Sequence, residues 1–250
     1  MSALLEVSGL SKHFGGLQAV KDVSFAIEPG EIVGILGPNG AGKTTLYNLL
    51  TGFIPFDSGS VVFKGRDLRK LSPYRIAGLG ISRTFQLCRP FVGMTVFENV
   101  IVGGLGAGGG GSELDAHAHA LLKQVGLAGK EQLAVETLSY GDQRRLEIAR
   151  ALAAKPALLL LDEPFAGLGS GEIADLSALI RSVHAEQGLT VMLIEHKLHE
   201  FMRLVDRVIA LDFGEIIAAG TPEDIVRHPA VIEAYIGRGD AEAEEQTDAA

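Results

Sequence analysis

Two hydrophobic rhythms alternate along this chain. Short apolar runs recur, and longer stretches with apolar residues at helical spacing separate them. Ile32-Val33-Gly34-Ile35-Leu36, Ala157–Leu161, Thr190–Ile194 and Val208–Phe213 are of the first kind, interrupted only by Thr190 and Asp212. They are too short for helices and read as buried strands. The opening segment is also β-like, with Leu4–Val7 and Val23–Ile27 on either side of charged and polar residues and a turn at Pro29-Gly30. Val61-Val62-Phe63 reads as a strand entering the turn Lys64-Gly65-Arg66, and Ile81–Gln86 as another strand. Helices are predicted over Thr45–Leu50, Ala116–Val125 and Glu172–Ala185. Ser72-Pro73 opens a short helix, with Ser72 as cap and Pro73 at the first position. Thr95-Val96-Phe97-Glu98 has capping-box spacing, and two short helices start near Thr221-Pro222 and Pro229. Gly103–Gly111 holds seven glycines in nine positions and reads as a flexible connector. Strand–helix alternation of this kind predicts an α/β fold with a mainly parallel sheet covered by helices. There is no internal repeat.

Candidate chemistry enters at Gly37-Pro38-Asn39-Gly40-Ala41-Gly42-Lys43-Thr44-Thr45, which fits the phosphate-loop pattern G-x-x-x-x-G-K-[ST]. It lies between a predicted strand and a predicted helix, where the mechanism needs it. Glycines let the loop wrap a polyphosphate with N–H groups inward, and the helix N-terminus favours negative charge. Lys43 is placed to reach the β- and γ-phosphates, and the Thr44 hydroxyl to ligate Mg²⁺. Farther on, Leu158-Leu159-Leu160-Leu161-Asp162-Glu163 reads as an apolar strand ending in two carboxylates. The first can hold Mg²⁺ and the second can polarise an attacking water. Adjacent strand residues point to opposite sides, so the two take different roles.

Charge and composition narrow the field. A net charge of −9 over 250 residues argues against a generally basic nucleic-acid binder. Part of it is local: Asp240, Glu242, Glu244, Glu245 and Asp248 sit in a terminal stretch without Lys or Arg, which reads as disordered. The chain is 47% hydrophobic, yet no apolar run approaches the ~18 residues of a membrane span. The N-terminus lacks a signal-peptide pattern, so a cytoplasmic chain is expected, with any membrane role reached through a partner. The single Cys88 excludes an internal disulfide and reads as structural rather than reactive. His117 and His119 are two apart on a helix and read as solvent-exposed rather than as a metal pair.

Leu138-Ser139-Tyr140-Gly141-Asp142-Gln143-Arg144-Arg145 resembles the signature segment of ATP-binding cassette (ABC) proteins. With the phosphate loop, Gln86, Asp162-Glu163 and His196 in order, the resemblance covers nearly the whole chain. It implies a RecA-like P-loop core, an N-terminal antiparallel β region and a helical lobe at about 87–155. These form a single domain over 1–238, followed by an acidic tail at 239–250. It implies that two cassettes pair head-to-tail and trap two ATP molecules. Carried over, Phe14 stacks on adenine, and Gly37 through Thr45 hold the phosphates. Thr44, Gln86 and Asp162 serve Mg²⁺. Glu163 is the catalytic base, assisted by Gln86 and by His196 at the γ-phosphate. Ser139 and Gly141 contact the ATP of the other subunit, with Ser139 as N-cap of a helix through Arg150. Read from the residues alone, Phe14 is also compatible with core packing, Gln86 with a polar strand end, and His196 with a structural turn.

Finer motifs resemble the ATP-binding subunits of branched-chain amino acid importers: Ser82-Arg83-Thr84-Phe85-Gln86, Met94–Asn99, Arg144–Arg150, Phe165–Leu168, Ile194-Glu195-His196, and the ending Gly220–Asp224 with Val231–Gly237. The partners so implied are permease transmembrane subunits, a second cassette of the same or a related chain, and indirectly an extracytoplasmic solute-binding protein. No nucleic acid is implied. The location implied is the cytoplasmic face of the inner membrane. A cassette moving urea or lipopolysaccharide, or a soluble one of iron–sulfur assembly, are the alternatives. Three positions depart from the common pattern. Tyr140 and Asp142 stand where Gly and Gln are usual, and Asp142 is expected to point away from phosphate. Gly169 stands where Asp or Asn is usual, which predicts looser coupling between paired sites. Arg89–Met94 is expected beside the groove that receives a permease helix, with Phe91, Val92 and Met94 either lining it or packed in the lobe.

Overall fold

Four apolar runs become the centre of one sheet. β3 (Ile32–Leu36), β7 (Leu158–Asp162) and β8 (Thr190–Ile194) are buried at every residue, and β9 (Arg207–Asp212) is buried over its middle four. The computed structural model describes residues 3–106 and 111–235. The six-stranded sheet has the order β10-β9-β3-β8-β7-β6, with β6 at Ile81–Arg83 and β10 at Glu215–Gly220. β9, β3, β8, β7 and β6 run parallel, and β10 pairs antiparallel with β9. The β10 strand was not expected from the sequence; β6 ends at Arg83, three residues short of the predicted strand end.

Because strand side chains alternate, each run feeds two cores. Leu159, Leu161, Val191, Leu193, Val208 and Ala210 face one cluster, and Leu158, Leu160, Met192, Ile194, Ile209 and Leu211 the other. The second cluster is closed by α1 (Lys43–Leu50) and by an antiparallel sheet. That sheet has the order β2-β1-β4-β5, from β1 (Leu5–Phe14), β2 (Leu17–Ile27), β4 (Ser58–Phe63) and β5 (Arg66–Asp67). The first cluster is closed by α3 (Val96–Leu105), α4 (Gly111–Gln124), α5 (Tyr140–Leu152), α6 (Ser170–Gln187), α7 (Leu198–Leu204) and α8 (Pro222–Val226). In chain order α2 (Pro73–Gly78) follows β5 and begins at Pro73 as expected, and a last helix runs over 229–235 after α8. The caps agree with the sequence: Thr95 and Glu98 form the full capping box, and the Ser139 hydroxyl accepts the Asp142 N–H at 3.2 Å.

Three expectations change. The Gly-rich connector is shorter than predicted, because α3 runs through Gly103 and Gly104. A Cβ on Gly103 would lie 2.2 Å from the Arg150 carbonyl oxygen, so glycine there allows α3 and α5 to touch rather than loosening the chain. Residues 107–110 of that stretch lie outside the described residues, as does the acidic tail at 239–250. Glu163 is not a strand residue. β7 stops at Asp162, and Glu163 turns into the left-handed region at φ 50°, so strand alternation is not what separates the two carboxylates. His117 is half-buried rather than exposed, with its Nε2 enclosed and desolvation lowering its pKa; His119 is exposed as expected, its ring 4.6 Å from that of Phe97. No helix among the described residues is long and apolar enough to cross a membrane.

Candidate nucleotide site and family

The phosphate loop occupies the turn from β3 into α1. Gly42 has φ 100°, and a Cβ there would meet the Ala19 carbonyl oxygen at 2.4 Å, so the loop closes against β2 only with glycine. Lys43 is buried, and its Nζ donates to the carbonyls of Gly37 at 2.6 Å and Pro38 at 2.9 Å, arching the side chain back over the loop. Behind the loop, the buried Gly37 N–H donates to the Tyr235 hydroxyl at 3.1 Å. Burial raises the Tyr235 pKa, so the phenol stays neutral.

A cleft of about 470 Å³ opens in front of the loop. Asn39 through Thr45 line it together with Phe14, Leu17, Gln86, Glu163, His196 and Phe213. Phe14 is 45% exposed, so it is not core packing; Lys12 Nζ lies 5.5 Å from its ring centre. Glu163 carries two partners. The Gln86 amide donates to Oε2 at 3.0 Å, and His196 Nε2 lies 2.9 Å from Oε1. Gln86 reaches that position from the loop beyond β6, not from a strand end.

Asp162 sits below Glu163, 2% exposed. Desolvation raises its pKa, the Glu163 carboxylate adds to this, and Arg83 opposes it with a bond from Nη2 to Oδ2 at 2.7 Å. Arg83 is itself held by Asn48 at 2.6 Å. His196 is oriented through its backbone by buried Glu195, whose carboxylate accepts the N–H groups of Phe165, His196 and Lys197. Desolvation raises the Glu195 pKa as well. Arg83, Glu195 and Tyr235 are the supporting residues to which motif reading gave no role. All three lie inside motifs that carry the resemblance, but each acts on a segment distant in sequence.

Ser139 and Gly141 do not join this cleft. They line a separate hollow of about 160 Å³ with Asp142, Arg145, Leu168 and Glu172. Asp142 pairs with Lys130, which offsets its charge beside that hollow. Gly169 caps α6 with φ −75°, and Glu172 accepts its N–H at 3.0 Å. Phe91, Val92 and Met94 are all exposed. Phe91 lines a third hollow of about 420 Å³ with Phe53, Tyr74 and Phe85, whereas Val92 and Met94 do not line it. Cys88 is half-buried against Glu147, and burial pushes its thiol up to about 12, consistent with a structural role.

The structure thus sets a strand–loop–helix phosphate cradle against a carboxylate held by Gln86 and His196. The ABC transporter family profile matches residues 20–166. The chain belongs to the ABC transporter family. A second profile, described as branched-chain amino acid ATP-binding cassette transporter, matches residues 215–241, the segment that carries Tyr235. Among curated relatives, the high-affinity branched-chain amino acid transport ATP-binding protein LivG of Salmonella typhimurium is 42% identical over 249 residues, covering 94% of this chain and 98% of LivG. The corresponding protein BraF of Pseudomonas aeruginosa shares the same 42% over the same coverage. Among solved structures, the ADP conformation of MJ1267, an ATP-binding cassette of an ABC transporter, superposes with TM-score 0.88 at 31% identity. It covers 95% of this chain and 100% of that one. The expected fold class, an α/β ABC cassette with a separate antiparallel sheet, is therefore the observed one.

Proposed function

We propose that this chain is the ATP-hydrolysing subunit that energises import of amino acids, branched-chain ones foremost, through partner permease subunits. The observation that carries the chemistry is Glu163, held between Gln86 and His196 in the cleft that the phosphate loop lines. Close likeness to LivG and BraF over nearly full length supports the amino acid substrate.

In this reading the loop N–H groups and Lys43 bind the β- and γ-phosphates, and Phe14 offers a face to adenine. Glu163 takes the proton of the attacking water while Gln86 and His196 hold its carboxylate in place. Mg²⁺ fits the residues present. Thr44 and Asp162 bring hard oxygen donors, and the raised pKa of Asp162 reflects a buried carboxylate beside a second one, where a cation is favoured. Mg²⁺ when bound neutralises charge on the β- and γ-phosphates. Gln86 is the third residue assigned to it.

Ser139 and Gly141 lie apart from the cleft, which supports their serving the ATP of a second cassette. A solved structure of the cassette MJ0796 in its post-hydrolysis state, bound to ADP and Pi, is dimeric; it matches this chain with TM-score 0.78 at 27% identity, covering 87% of this chain and 98% of that one. The domain assignment, a single cassette over 1–238 with its helical lobe at about 87–155, belongs to the same proposal. So does placement at the cytoplasmic face of the inner membrane, with a solute-binding protein acting at a distance.

The hollow beside Phe91 is the proposed socket for a permease helix, next to the loop that carries Gln86. Reconstitution with the permease subunits tests the whole reading: ATP should drive uptake of leucine into proteoliposomes. In the same preparation, Phe91→Ala should lower permease association and uptake about tenfold while leaving ATPase of the isolated subunit within about twofold. Uptake of urea instead of leucine would favour the runner-up importer, and equal losses of uptake and ATPase would return Phe91 to core packing.

A further inference from the structure

Tyr140 stands where the common signature carries glycine; its ring meets one segment that reaches Glu163, and its hydroxyl holds the arginine that meets the other. The hydroxyl accepts from Arg144 Nη2 at 2.7 Å. The same Nη2 donates to the Gln86 carbonyl at 2.7 Å, and Nη1 to the Phe85 carbonyl at 3.3 Å. Glu147, one turn farther along α5, accepts the Phe85 N–H at 3.1 Å and pairs with Arg144 at 3.3 Å. Arg144 is 2% exposed and Glu147 5%. The backbone of Phe85 and Gln86 has left the β6 ladder, so α5 supplies the hydrogen bonds that the sheet no longer gives. The Gln86 side chain then reaches Glu163 at 3.0 Å.

The ring of Tyr140 meets the other segment. Gly167 has φ 78°, and a Cβ on it would come within 2.7 Å of the Tyr140 ring edge. Gly167 lies in the turn that starts at Glu163, closed by the Ala166 N–H donating to the Glu163 carbonyl at 3.1 Å. One aromatic residue at the first position of α5 therefore bears on both segments that place the carboxylate.

We propose that Tyr140, acting through Arg144, is a positioning residue for the hydrolytic site of its own chain. It fixes the guanidinium on the Gln86 carbonyl, and so fixes the Gln86 amide against Glu163. This rests on Glu163 being the base. A group misplaced by about an ångström costs up to ~100-fold in rate, whereas nucleotide contacts at the phosphate loop do not pass through Tyr140. The role therefore predicts a loss in kcat without a loss in ATP affinity. It also ties the start of α5, where Ser139 faces the partner's nucleotide in a pair, to the chain's own Glu163 by three hydrogen bonds in series.

Tyr140→Phe tests this on the full chain, since it removes only the hydroxyl from a residue 42% exposed and keeps the ring against Gly167. Three measurements are compared with wild type: ATPase kinetics, ATP binding, and amide hydrogen exchange over residues 84–90 without nucleotide. The expected result is a kcat lowered about threefold to tenfold, KM and Kd for ATP within about twofold, and exchange at Phe85 several-fold faster. Unchanged exchange overturns the clamp, whatever hydrolysis does. Faster exchange with unchanged kcat overturns the positioning role and leaves Arg144 structural. A fall in melting temperature with parallel losses in kcat and ATP affinity overturns it too. Glu163→Gln measured alongside separates the two claims: wild-type hydrolysis in that variant refutes the base assignment, while the exchange readout still decides the clamp.

Discussion

Glu163→Gln separates catalysis from structure more cleanly than any other change at this site. Glutamine has the shape of glutamate, and both present partners can be kept. Its oxygen can accept from Gln86, and its amide can donate to His196 Nε2 once that imidazole carries its proton on Nδ1. Two charge-assisted bonds, about 1.5–3 kcal/mol each, become neutral ones of about 0.5–1.5 kcal/mol. Against that loss, the variant removes a carboxylate that raises the Asp162 pKa, relieving like-charge repulsion in a buried corner. Global stability should therefore stay within about 1–2 kcal/mol of wild type. The rate should not. Removing a general base lowers turnover about 10²- to 10⁴-fold, or about 3–5 kcal/mol in activation free energy. Phosphate release, thermal unfolding and size exclusion with ATP and Mg²⁺ measure the three quantities. The variant should fold, bind ATP and accumulate as a dimer with its partner cassette. A folded variant that turns over ATP within about threefold of wild type would show that Glu163 is not the base.

Three further outcomes follow from the site. Gly169→Asp is sterically free, since φ is −75° and the nearest neighbour of an added Cβ is Glu172 Oε2 at 3.7 Å; it should raise the Hill coefficient for ATP and stabilise α6 by a few tenths of a kcal/mol, roughly, and an unchanged Hill coefficient in an active variant removes the coupling idea. Tyr235→Phe leaves the buried Gly37 N–H without its acceptor, so calorimetry should find a loss of about 1–3 kcal/mol and isothermal titration a weaker ATP affinity; unchanged values in both would show that the last helix does not brace the phosphate loop. The Cys88 thiol, pushed up to about 12, should react at pH 8 roughly a thousandfold more slowly than a free thiol, and labelling at the free rate in native buffer would contradict its burial.

Local pattern determined a good deal here. Apolar runs marked β3, β7 and β8 because a strand buried on both faces carries a polar residue only where a partner offsets its desolvation, as Arg83 does for Asp162 and the Gly30 N–H for Thr190. Spacing marked the phosphate loop, because the glycines and Lys43 act within one turn of chain. Caps at Thr95 and Ser139 were legible for the same reason: a hydroxyl and an N–H three residues away make a bond that needs nothing else. Tertiary structure decided the rest. Gln86 and Glu163 meet across 77 residues, Arg83 and Asp162 across 79, and Gly37 and Tyr235 across 198. No periodicity records such pairings, because hydrophobic pattern reports how deeply a residue is buried and not which distant segment it meets. The left-handed turn at Glu163 and the run of α3 through Gly103 also came only with the structure, the second because the Arg150 backbone of α5 packs where any larger side chain would sit.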